Sequence, residues 1–132
     1  MANLTITVAD VRLHSTTQTK VVEAGIALTP MMPVYKSNSQ YFKAANTSVA
    51  LSDCKGLCVG YADADGPFTL ATKGLITIGA TLTVNTLYCV STAGLIMPYD
   101  DLSSGEFGCT LGWATTAALL DLQIQTSGVA TP

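Results

Sequence analysis

Four cysteines, Cys54, Cys58, Cys89 and Cys109, and one histidine, His14, are the side chains of this sequence best equipped for chemistry. A thiolate acts as nucleophile or metal ligand, and an imidazole as base or ligand. Their spacing suits neither role. Cys54 and Cys58 form C-x3-C instead of the C-x2-C knuckle of most zinc sites, and His14 lies 40 positions before Cys54. His14 adjoins Ser15, but sequence neighbours are not thereby oriented as nucleophile and base. Asp63-Ala64-Asp65-Gly66 begins like a calcium loop, yet no bidentate Glu follows at the required spacing, so it reads as a turn. No Gly-rich phosphate cradle opens onto a helix. The expectation is therefore no catalytic residue, no metal site and no cofactor. The cysteines read as free, mostly buried thiols.

Composition narrows the partners. The chain has 132 residues, enough for one domain with a real core and no staples. Apolar residues make up 48% and charged residues only 11%, against about 25% in an ordinary soluble domain. Thr and Ser stand in for charge. Such a neutral surface tends to associate, so part of it is expected to be covered by copies of the chain or by a partner. Net charge is −3 and the six basic residues are dispersed, which argues against direct nucleic-acid binding. No stretch approaches the roughly 20 apolar residues of a membrane-spanning helix. The opening Met1 to Thr7 has neither the basic start nor the apolar core of a secretion signal, so synthesis and assembly in a cytosol are expected.

The elements that must position these residues read as strands. Leu4, Ile6 and Val8 alternate with Thr5, Thr7 and Ala9, as in a half-buried strand. Residues 1–24 are expected to form an N-terminal arm or edge strand, ahead of a single β domain over 25–132. Within that domain two stretches echo each other. Gly-x-x-Leu-Thr occurs at Gly25 and at Gly79, each followed by a Tyr, Tyr35 and Tyr88. Later, Gly-Tyr-Ala at Gly60 answers Gly-Trp-Ala at Gly112. An internal duplication with halves of about 25–72 and 79–125 follows from this frame. Turn signals separate short β-prone runs: Ser37 to Gln40, Asp63 to Pro67 and Ser91 to Gly94. Pro98 to Glu106 reads as a loop in which Asp100-Asp101-Leu102 starts one helical turn. No helix of three turns appears. The fold class is all-β, a compact barrel or sandwich of short strands.

Two groups of side chains carry the remaining questions. Tyr35, Tyr61, Tyr88 and Trp113 fall at matching points of the frame and read as core aromatics with polar atoms at the rim. Met31 and Met32, in the bend Thr29-Pro30-Met31-Met32-Pro33, serve either as core filler or as a subunit contact.

Taken together, these phrases resemble a known family. Ala24 to Tyr35, Tyr41 to Ala45, Val59 to Ala62, Gly74 to Val84, Leu87 to Ser91, Gly94 to Pro98 and Leu111 to Thr115, with the opening Ala2 to Thr7, are similar to small capsid cement (head decoration) proteins of tailed bacteriophages. The resemblance covers nearly the whole chain, but each phrase alone is ordinary β-hairpin grammar. It implies a non-enzymatic virion protein on the outer surface of an icosahedral capsid, binding the major capsid protein as a homotrimer and stabilising the expanded shell. The cysteines and the Asp63-Ala64-Asp65 turn lie outside the family pattern, so no role passes to them. The strand-like Leu4, Thr5, Ile6, Thr7 and Val8 are the natural candidates for strand addition to a capsid or subunit edge, with Met31 and Met32 as further interface residues. The alternative is a receptor-binding or fibre-associated virion module that contacts a host glycan. Exposure of Tyr61 and Trp113 on one face favours that alternative, whereas their burial favours the cement reading.

Overall fold

Among the described residues, short runs of Val, Ile, Leu, Thr and Tyr, broken by Gly, Asn and Asp, become ten strands joined in one antiparallel sheet that curls into a half-barrel. The computed structural model describes residues 4, 6–7, 10–91 and 94–130, with the backbone alone over 127–130. The strands are β1 Val11–Leu13, β2 Gln18–Glu23, β3 Pro33–Ser37, β4 Gln40–Lys43, β5 Cys54–Val59, β6 Pro67–Ile78, β7 Leu87–Val90, β8 Ile96–Pro98, β9 Phe107–Ala114 and β10 Leu119–Ala130. A single 3-10 turn, Tyr99–Asp101, is the helical element within Pro98 to Glu106. Asn38 (φ 50) and Ser39 (φ 71) both take the left-handed conformation that a two-residue hairpin turn requires, which fixes the pairing of Ser37 with Gln40.

Sheet order is β4-β3-β5-β6-β10-β9-β7-β8, with β1 and β2 laid along β6. Each half thus repeats one plan: a hairpin, a third strand beside the hairpin's first strand, then a fourth. The two halves join where β6 meets β10. The repetition extends to an irregularity. Val34 pairs with Gly56 and Tyr35 with Cys54, leaving Lys55 as an extra residue. Tyr88 pairs with Gly112 and Cys89 with Thr110, leaving Leu111 extra in the same place. The glycine after each bulge lies so close to the next strand that a Cβ would strike a backbone carbonyl, that of Ala71 at Gly56 and of Asp121 at Gly112.

This register corrects the frame drawn from sequence. Gly112 corresponds to Gly56, not Gly60, and Tyr88 to Val34, not Tyr35. Gly60 lies just beyond the end of β5, whereas Gly112 lies inside β9, so the two phrases match in residue type and not in place.

Two apolar clusters fill the concave side. The larger holds Met31, Leu57, Ile76, Ile78, Tyr88, Leu111, Leu120 and Leu122 among others, and the smaller gathers Leu28, Val34, Tyr41, Cys58, Phe68 and Leu70. Strand β6 serves both, giving Phe68 and Leu70 to one and Ala71, Ile76 and Ile78 to the other. On one side it carries β1 and β2 in succession. On the other, β5 pairs with Thr69–Ala71 and β10 with Lys73–Thr77, so the sheet forks at Lys73. Within residues 1–24, β1 and β2 are the strands, both paired to β6.

Candidate interaction surface

Among the described residues of the opening segment, Leu4 and Ile6 are half-buried and pack on the larger cluster, while Thr7 is exposed. Thr5 and Val8 lie outside the described residues. Leu4 N–H donates to the Ile96 carbonyl at 2.8 Å and Thr7 N–H to that of Gly79 at 2.6 Å. These ties hold the segment against the body, with Leu4 and Ile6 packed on the larger cluster.

The Pro-Met bend comes to the same place. Thr29 and Pro30 line a cleft of about 220 Å³ together with Leu4, Ile6, Leu95 and Tyr61. Two candidate regions 25 residues apart in sequence, Leu4 and Thr29, thus share one wall. Met31 itself turns the other way: its side chain is 1% exposed in the larger cluster, and its N–H donates to the Cys58 carbonyl at 2.7 Å. Met32 is half-buried against the smaller cluster. Of the two roles open to the methionines, core filling is the one Met31 performs.

The aromatics divide, against the expectation that all four are core. Tyr88 is buried and its hydroxyl accepts the Thr83 N–H at 2.9 Å; Tyr35 is half-buried beside Phe42. Tyr61 is 70% exposed and Trp113 is 54% exposed. Tyr61 follows Gly60, whose φ of 81° ends β5 and turns the chain outward. Trp113 stands in a second cleft, of about 330 Å³, with Leu87, Tyr99, Thr110, Gln123 and Gln125. The clefts of Tyr61 and Trp113 have no lining residue in common. Both rings are exposed, and each lines a cleft of its own.

The four cysteines are free and buried. Burial pushes the Cys58 thiol up to about 11. Burial, then the charges of Cys109, Glu106 and Asp101, take Cys89 to about 12. Cys54 and Cys109 differ, because the side chain of each acts on the other's proton through a hydrogen bond. That bond raises Cys54, as does its burial. It lowers Cys109 to about 7, helped by the Thr126 hydroxyl 3.5 Å away and by the Cys54 backbone, and opposed by burial and by Asp53. Sequence gave no signal for this pair, since the two residues lie 55 positions apart and in different halves.

The remaining candidates are structural. His14 is exposed, with Nε2 2.8 Å from Thr77 Oγ1 and its N–H donating to Thr17 Oγ1, which ties the β1–β2 turn to β6. In the Asp63 to Pro67 turn, Gly66 N–H donates to the Asp63 carbonyl, and Gln40 Nε2 donates to both Asp65 and Glu23. Among the described residues no group of three or more His, Cys, Asp or Glu side chains is placed to hold a metal, and no helix is long and apolar enough to cross a membrane. No protein-family model matches the chain, and no curated protein matches it either.

Proposed function

We propose that this chain is a structural virion protein that binds the outer surface of an icosahedral phage capsid, as a homotrimer on the major capsid protein, and stabilises the expanded shell. The observation that carries the reading is the joining of Leu4 and Ile6 with Thr29, Pro30, Leu95 and the exposed Tyr61 in one cleft. On a chain with 11% charged residues, a cleft of aliphatic, hydroxyl and aromatic character suits a low-charge protein partner. Thr7 stands exposed beside it with Leu4 and Ile6 as its anchors. Binding that favours only the expanded state stabilises that state by mass action, and many identical contacts multiply a weak one. No chemical step is involved.

The test compares particles with and without the protein by cryo-EM, then with Tyr61→Arg. Extra density on the shell, lost in the variant while its thermal midpoint is unchanged, is the expected result. A protein that remains monomeric and absent from particles overturns the reading.

A second reading has its own observation. Trp113 and Tyr99 flank a cleft whose polar side chains include Thr110, Gln123 and Gln125. An aromatic face beside amide and hydroxyl groups is suited to a neutral saccharide, as a receptor-binding virion module would need. Saccharide binding that disappears in Trp113→Ala, with capsid decoration absent in the parent protein, selects this reading over the first.

A further inference from the structure

At the fork beside Lys73, the start of β5 and the far end of β10 part company over a groove of about 440 Å³. Asp53, Cys54, Lys55, Lys73, Gln125 and Thr126 are among its walls. Cys54 lines the groove, 3% exposed, and Cys109 is wholly buried in the same apolar cluster as Cys54. The sulfur of Cys109 meets the Cys54 thiol, the Cys54 backbone and the hydroxyl of Thr126, itself an exposed groove residue. Cys58 and Cys89 line no part of this groove. The Cys58 thiol donates to the Gly60 carbonyl at 3.3 Å and the Cys89 thiol to the Pro98 carbonyl at 4.0 Å, as the Cys54 thiol does to the Gly56 carbonyl at 3.3 Å.

We infer that Cys54 and Cys109 form an oxidisable dithiol, a modification site closed to a disulfide by a small peroxide entering the fork groove. The inference is independent of the virion reading. Hydrogen peroxide is the oxidant, small enough to pass the hydroxyl of the groove residue Thr126 to a sulfur 3.5 Å from it. The Cys109 thiolate attacks one peroxide oxygen. The O–O bond breaks, the departing hydroxide takes a proton from solvent and leaves as water, and Cys109 becomes a sulfenic acid. Cys54 then attacks the Cys109 sulfur. The S–S bond forms as the S–O bond breaks, and the Cys54 proton goes with the released hydroxide as a second water. Two thiols lose two electrons and one peroxide is reduced to two waters.

The division of labour follows from the proton. A thiolate is the nucleophile, and Cys109 is the cysteine whose ionised form is held by three hydrogen-bonding groups. Cys54, whose proton is held more tightly, resolves the intermediate. The titratable groups acting on Cys109 are Cys54 and Asp53 at the head of β5, with Cys89 of β7 coupled to it by charge. The ammonium of Lys55 is paired with Asp53 at 3.2 Å, which tempers the carboxylate's opposition. With Cys109 near 7, disulfide formation is expected to run roughly tenfold slower at pH 6 than at pH 8.

The reduced, full-length protein treated with hydrogen peroxide, then alkylated, digested and mapped by mass spectrometry, tests this without any variant. The expected product is a Cys54–Cys109 cross-linked peptide lighter by two hydrogens, with Cys58 and Cys89 recovered alkylated only after unfolding. A bridge involving Cys58 or Cys89, or four intact thiols after peroxide treatment at pH 8, overturns the inference. As a second readout, Cys54→Ser should leave a dimedone-reactive sulfenic acid at Cys109. Dimedone label on Cys58 or Cys89 in its place counts against the pair.

Discussion

Met31 holds a backbone conformation that few large side chains adopt. Its φ is 59°, in the left-handed region, and the hydrogen bond from its N–H to Cys58 keeps it there. The reward is a side chain buried in the larger cluster. Met31→Ala removes that packing and leaves a cavity, so it should lower stability by about 2–4 kcal/mol. Met32→Ala, from a half-buried site, should cost less than about half as much; denaturant titration of both variants measures the difference. The buried thiols carry a second prediction. Below pH 9.0 Cys58 and Cys89 are protonated in both folded and unfolded chains, and their contribution is fully present. Between 9.0 and about 11 to 12 the unfolded chain releases these protons while the folded chain keeps them, so stability falls as pH rises. Cys109, held near 7, has the opposite sign: it adds stability as pH rises from 7 to 9.0 and then levels off. The thermal midpoint should therefore drop steeply only above pH 9, and Cys89→Ala should make that drop shallower.

Strands announce themselves in sequence through alternation and turn residues, which is why the hairpin at Asn38-Ser39, the turn at Asp63 to Pro67 and the all-β class were legible. Bulges do not. An extra residue such as Lys55 or Leu111 reverses the facing of everything beyond it, yet alters no composition. The frame that set Gly60 against Gly112 rested on residue type alone, and it took Tyr61 and Trp113 for core residues although Gly60 lies past the end of β5 and Gly112 within β9. The glycines that mark the true correspondence are required by close approach. At Gly56 and Gly112 a Cβ meets a carbonyl oxygen of the adjacent strand, and backbone in the middle of a sheet cannot swing aside as a side chain would. Gly56→Ala and Gly112→Ala should each cost about 1–3 kcal/mol or more. Gly105→Ala supplies the control. Gly105 has φ 86° but open space around its Cβ position, so only the conformational penalty of about 1–2 kcal/mol remains. If Gly112→Ala proves no worse than Gly105→Ala in chemical denaturation, the close approach is not what fixes the β9–β10 register.

At the scale of the molecule, the low charge that stood out in composition takes a location. Three large aromatic rings, Tyr61, Tyr99 and Trp113, remain exposed on a chain that buries most of its other large apolar groups, and the cleft of Tyr61 is separate from the one Tyr99 and Trp113 share. Sequence could show that apolar surface would remain uncovered, but not where, because that depends on the curl of the sheet and on how the opening segment lies across it. Two clefts allow two functions to be separated by substitution. Deleting residues 2–13 would not do this, since Leu4, Ile6 and Val11 pack on the larger cluster and β1 is paired along β6. Tyr61→Arg adds a charge at a site already in water, so the fold should tolerate it, whereas any partner closing over the cleft would have to desolvate the guanidinium. In a trimer that change occurs three times per assembly. Losing even tenfold at each contact compounds across a multivalent interface, so capsid decoration should fall by about 10² or more, measured as bound protein per particle at fixed input. Trp113→Ala in the same assay should leave decoration unchanged, because its cleft shares no residue with that of Tyr61. The reverse pattern, decoration lost with Trp113→Ala and kept with Tyr61→Arg, would transfer the contact surface to the β9 side and release the opening segment from any role in binding.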